Sequence, residues 1–99
     1  FLQRMSERIE RRLISLRRRV FEQAAREYDR IWSEIAAIVR ASGGHAWRFT
    51  AAGDPCLHLE FLEYEAGHDP RDEGRVADLL STLETRCGSG TPEEWLEDR

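Results

Sequence analysis

Residues 1–41 contain neither glycine nor proline, and no other feature of the chain restricts its folding more. Within them Met5, Ile9, Leu13, Leu16, Val20, Ala24, Tyr28, Ile31, Ile35 and Ile38 recur at steps of three or four residues, the interval that places side chains on one helix face. Phe21, Trp32, Ala36 and Val39 widen the stripe in its second half, while Arg4, Arg8, Arg11, Arg12, Arg18 and Arg19 flank its first half. Ser42, Gly43 and Gly44 supply a stop, because glycine reaches the left-handed conformation of a C-terminal cap. The spacing predicts one long amphipathic helix over residues 1–41.

Such a helix is a rod about 60 Å long, whereas a compact domain of this length has a radius of gyration near ~13 Å. The rest of the chain is too short to cover it, which predicts a homo-oligomer assembled through the helix and leaves room for another protein partner. A second reading breaks the segment. Ile14, Leu16, Arg18 and Val20 also alternate, so residues 13–20 fit a strand and the helix then starts near Phe21. Arginine and leucine favour helix and no turn residue separates the pieces, which places the unbroken helix first.

Beyond the stop, residues 45–50 and 56–64 read as two strands of a β-hairpin spanning 45–64, joined by turn formers at 51–55. With Thr50 opposite Cys56, the apolar Trp47, Phe49, Leu57, Leu59 and Phe61 gather on one side and Arg48, Thr50, Cys56, His58 and Glu60 on the other. Asp69 and Pro70 open a second helix over 70–87 as N-cap and first residue. Its face of Val76, Leu79, Leu80, Leu83 and Cys87 is expected to pack on the apolar side of the hairpin or on the long helix. Thr91, Pro92 and Glu94 repeat a capping signal and predict a short helical turn over 92–97, pinned by Trp95 and Leu96. The fold class is α+β in a single domain, 1–99.

Composition excludes some functions. A chain 40% hydrophobic and 34% charged is neither disordered nor fibrous. Its longest apolar run, 35–39, is far below the roughly 20 residues of a membrane span. With no secretory signal visible, the expected location is cytoplasmic. All fifteen basic residues are arginine, with no lysine or asparagine, which points to GC-rich coding and a bacterial source. A start at Phe1 in place of Met points to further sequence upstream. In residues 1–20 seven arginines against Glu7 and Glu10 leave +5, so the remainder carries −9 of the net −4. A basic arm can grip phosphates, but a pI near 5.4 argues against a nucleic-acid binder. The arm is read instead as a surface that meets the acidic half of a neighbouring subunit.

Arg48, His58 and Glu60 form the candidate catalytic constellation, brought to one side of the hairpin by alternation. An imidazole beside a carboxylate can exchange a proton near neutral pH, and a guanidinium can orient an anionic or carbonyl group. The plainer reading of the same residues is a cross-strand polar ladder. Cys56 and His58 are not a standard zinc pair, even with His45 or His68 added, so no metal is expected. Cys56 and Cys87 are expected as reduced thiols. Without a glycine-rich phosphate loop no cofactor is implied either. Trp32, Trp47 and Trp95 are expected in the core. The leading functional reading is thus a non-enzymatic interaction or assembly module.

The broken-helix reading gives the order β-α-β-β-α over residues 13–87. That order resembles the ferredoxin-like dimeric α+β barrels, which include small cofactor-independent monooxygenases. Element order carries the resemblance, and the family's usual final strand has no evident counterpart in the tail. The resemblance implies that the sheet face away from the helices lines a pocket, with Arg48, His58 and Glu60 directed to the barrel interior. It also implies that a small hydrophobic or aromatic molecule is bound or oxidised there.

Overall fold

In a computed structural model of the protein, which describes residues 9–98, the first element among the described residues is a strand. β1 covers Arg11–Arg19, and a 3-10 turn at Glu22–Ala24 leads into α1, Ala25–Ala41. The hairpin strands β2, His45–Ala51, and β3, Asp54–Glu65, follow. A 3-10 turn at Pro70–Asp72, α2 at Gly74–Thr82, a π-helical turn at Leu83–Cys87 and β4 at Gly90–Leu96 complete the chain. The strands form one antiparallel sheet in the order β2-β3-β1-β4. Both helices lie on one face of it, which makes two layers.

Three expectations are corrected. The helix over 1–41 is a strand followed by a shorter helix, the isolated hairpin is half of a four-stranded sheet, and the helical turn over 92–97 is the edge strand β4. The part of the expected helix that holds Arg4, Met5 and Arg8 lies outside the described residues.

Residues 11–19 satisfy both periods, and tertiary pairing decides between them. As a strand, β1 sits between β3 and β4, so both of its backbone edges are hydrogen-bonded. The helix preference of arginine and leucine, a few tenths of a kcal/mol per residue (~0.5), loses to that pairing. Leu13 faces Trp95 and Leu16 faces Pro92 across the β1–β4 ladder. Pro92 lacks an N–H to donate and is accommodated because β4 is an edge strand. With no rod to cover, the argument for assembly through a long helix falls away.

On α1 the buried residues are Tyr28, Ile31, Trp32, Ile35, Ala36 and Val39, the inward stripe of one helix. Gly43, at φ +91°, makes the left-handed turn that releases the chain into β2. Asp69 accepts the Arg71 N–H with Pro70 at the first position, but the element it opens is the 3-10 turn. Glu73 caps α2 itself, accepting from the N–H groups of Arg75 and Val76. Val76, Leu79, Leu83 and Cys87 then meet Ile14, Ala46, Leu62 and Tyr64 of the sheet in one core with α1.

The hairpin register differs from expectation by two residues. Thr50 pairs with His58 and Trp47 with Phe61, with an irregularity at Thr50/Ala51. An even slip keeps every side chain on its face. The helices, however, cover the opposite face from the one expected. They pack on the side of Ala46, Arg48, His58, Glu60 and Leu62, and leave Trp47, Phe49 and Trp95 about half exposed. Of the three tryptophans only Trp32 is in the core. Among the described residues no helix is long and apolar enough to cross a membrane.

Candidate functional site

Alternation along β1 turns Arg18 toward the helices with Ile14 and Leu16, and alternation along β3 does the same for Glu60. Leu16 lies opposite Glu60 and Arg18 opposite His58, so Arg18 and Glu60 are diagonal neighbours within reach of each other. The Arg18 Nε donates to Glu60 Oε2 at 2.7 Å and Nη2 to Oε1 at 3.2 Å. Arg18 is 1% exposed and Glu60 4%. Nη1 of Arg18 donates to the Gly88 carbonyl at 2.6 Å and to Glu84 Oε2 at 3.2 Å. From α1, Tyr28 donates its hydroxyl proton to Glu60 Oε2 at 2.7 Å.

A buried ion pair is costly to desolvate, and an apolar pair of similar volume often serves stability as well or better. Stability alone does not account for the burial of these ions. Burial works against the charge of Arg18, but the hydrogen bonds and charge of Glu60 outweigh it and shift its pKa upward. Burial, then the charge of Glu60, pushes the Tyr28 phenol above its ordinary value. At neutral pH Arg18 is thus a fixed cation and Tyr28 a fixed donor.

The pair faces a cavity of about 350 Å³ between β1, β4 and α2. Ile14, Leu16, Leu62, Leu80 and Pro92 give it apolar walls, and Arg18, Glu60, Glu84 and Arg71 are its charged groups. Arg71 is committed elsewhere, donating to Asp69 at 2.7 Å and to Glu94 at 2.6 Å. The volume lies in the range of small-molecule sites, and mostly apolar walls with a few convergent polar groups are what such sites share.

The three residues expected from the sequence, Arg48, His58 and Glu60, are gathered around Tyr28. Glu60 holds its hydroxyl, the Arg48 guanidinium lies 4.8 Å from its ring centroid, and the His58 ring lies 4.9 Å away. Arg48 Nη1 approaches Asp29 to 2.9 Å but is not aligned for a hydrogen bond to it. His58 Nδ1 is 3.1 Å from the Thr50 hydroxyl. Burial, then the nearby Arg48 charge, lowers the His58 pKa, which leaves it neutral at pH 7. Only Glu60 of the three lines this cavity. All three lie on the helix-covered face, so the implied placement on the face away from the helices is corrected.

Arg18, Tyr28 and Glu84 were not singled out by sequence reasoning. Arg18 counted there as a flank of the helical stripe, although its alternation with Ile14, Leu16 and Val20 marks an inward-facing arginine once the segment is a strand. Tyr28 stood in the stripe as one more apolar position. Glu84 carries no sequence signal, because the π-helical turn that aims it is invisible to periodicity. Cys56 and Cys87 are both free thiols. Among the described residues no cluster of His, Cys, Asp or Glu is arranged to hold a metal ion.

No protein-family model matches this chain, and no curated protein matches it significantly. Solved structures do match its fold. A conserved protein from Methanosarcina mazei Go1 superposes with a TM-score of 0.76 at 9% identity, covering 91% of this chain and 94% of its own. A conserved protein of unknown function from Bacteroides thetaiotaomicron VPI-5482, described as a possible oxidoreductase, gives 0.74 at 12% identity over 92% of this chain and all of its own. An antibiotic biosynthesis monooxygenase gives 0.65 at 14% identity, covering 89% and 97%. At such identities the likeness establishes a shared ferredoxin-like α+β fold, with four strands and two helices, and not a shared chemistry.

Proposed function

We propose that this chain binds a small hydrophobic or aromatic molecule in the cavity between its sheet and α2, as one subunit of a dimeric α+β barrel. The observation that carries the reading is the apolar cavity of about 350 Å³ with a buried Arg18–Glu60 pair in its wall and Tyr28 behind it. Apolar walls supply affinity by desolvation, and fixed polar groups supply orientation. The dimer is supported by the other face of the sheet. Trp47, Phe49 and Trp95 are about half exposed there, with Leu57, Leu59 and Phe61 beside them, a patch that a second sheet would cover. The interaction role that the sequence suggested thus moves from a helix to a sheet face.

Titration with naphthol, followed by its own fluorescence, tests the cavity. The expected result is saturable binding that weakens at least about tenfold in Leu80→Trp, which fills the cavity, with circular dichroism unchanged. Equal binding by the folded variant would refute the site.

Oxidation of the bound molecule is a second reading, favoured by the names of the structural neighbours. In its cofactor-independent form an activated methylene carbon takes one atom of dioxygen as a carbonyl oxygen, and the two hydrogens leave with the other as water. Oxygen uptake that depends on both protein and a hydroxylated aromatic is the expected result. Binding without uptake across a panel of such compounds would restrict the protein to ligand binding.

A further inference from the structure

We infer that the cavity contains a seat for the carboxylate of an apolar acid, and that the chain's own Glu84 fills that seat in the structure. The inference rests on the cavity being the ligand site and names the class of ligand it takes.

The seat is the outer edge of the Arg18 guanidinium. A guanidinium presents five N–H donors in a planar fork. Glu60 takes the inner edge, Nε and one Nη2 hydrogen, and the Gly88 carbonyl takes one Nη1 hydrogen. The other Nη1 hydrogen goes to Glu84 Oε2 at 3.2 Å, and the remaining Nη2 hydrogen has no partner among the described residues. Glu84 Oε2 also accepts the backbone N–H of Gly90 at 3.3 Å. One carboxylate oxygen thus lies between a buried cation and a main-chain amide, and its second oxygen is not used on either.

Glu84 is a weakly held occupant. Both of its contacts are long beside the 2.7 Å bond to Glu60, and its side chain is 45% exposed. It sits on the π-helical turn Leu83–Cys87, a local irregularity of the kind often found at functional sites. The Gly90 amide is fixed close to β1, because a Cβ there would lie 2.4 Å from the Arg17 carbonyl oxygen.

A ligand carboxylate entering the cavity would bind the outer edge through both Nη1 and Nη2, using the donor that Glu84 leaves idle. Glu84 would swing into water, where half of it already is. One carboxylate replaces another, so the charge balance around Arg18 is unchanged. The apolar body of the ligand would lie against Leu16, Leu62 and Leu80, which supplies the drive that Glu84 lacks.

The test compares naphthoate with its methyl ester by fluorescence titration in the wild-type protein and in Glu84→Ala, an exposed position where folding is not at risk. Naphthoate is expected to bind at least about tenfold more tightly than the ester. Removing the internal competitor in Glu84→Ala is expected to tighten naphthoate a further ~tenfold and to leave the ester within about twofold. Tighter binding of the ester than of naphthoate, or a loss of naphthoate affinity in Glu84→Ala, would overturn the seat. If naphthol and the ester bind while naphthoate does not, the seat falls and the cavity stands. If none of the three binds, both fall.

Discussion

The two faces of the sheet invert the usual arrangement. The face covered by helices holds two charged residues almost wholly out of water, Arg18 and Glu60, while the bare face displays Trp47, Phe49 and Trp95. The covered face carries a liability that packing alone does not need, and the bare face carries one that a lone subunit cannot hide. Each makes sense if it has an occupant: a small molecule in the cavity, and a second sheet on the aromatic face. Charges on the bare face, by contrast, are not sealed from water: Arg11 holds Glu63 through two hydrogen bonds of 2.9 and 2.8 Å, His45 approaches it to 2.6 Å, and Arg17 is exposed.

The largest expected effect breaks the covered face. Arg18→Met leaves Glu60 buried without its cation and is expected to cost about 3–5 kcal/mol in a urea melt. Arg18→Met with Glu60→Met is expected to recover most of that loss. A double variant as damaged as the single one would mean that the pair is structural after all. On the bare face, Trp47→Glu with Phe49→Glu is expected to shift the sedimentation coefficient from dimer to monomer, a loss of roughly 2–4 kcal/mol in association. Dimers persisting in the variant would show that the subunits meet elsewhere.

Smaller changes sharpen the contrast. Tyr28→Phe removes one hydrogen bond to a charged group and is expected to lower stability by about 1.5–3 kcal/mol. Acid titration separates the faces. His58 has a folded pKa below its ordinary 6.5, so between those values the unfolded chain binds the extra proton and stability falls as pH drops. His58→Gln should flatten that part of the curve. Glu63, held by the hydrogen bond of Arg11 at about 2 against an ordinary 4.5, adds stability at higher pH that is lost as pH falls from 4.5 toward 2. Glu63→Gln should remove only this lower step, as monitored by chemical denaturation across the pH range.

Which side chains share a face was within reach of the sequence, Glu60 among them, and what was missed has a physical cause. Alternation in residues 56–64 puts His58 and Glu60 on one side and Leu57, Leu59 and Phe61 on the other, whatever the register, because an even slip preserves faces. It does not say which side the helices cover, and the rule that apolar faces go inward chose the wrong one here. Residues 11–19 carry both periods at once, and local propensity settled on helix. Only the pairing of β1 with β3 and β4 decides the matter, and that is a long-range fact. The same blindness hid Arg18, whose meaning changes with the element that bears it. The tail misled through Pro92, which suits both a helix start and an edge strand.

A crystal structure of the protein soaked with naphthol would test the central claim most directly, that the face carrying buried charge is the one that binds. The account predicts ring density between β1 and α2, against Leu16 and Leu80 and beside the Arg18–Glu60 pair. Density on the aromatic face among Trp47, Phe49 and Trp95, with the cavity empty, would contradict it.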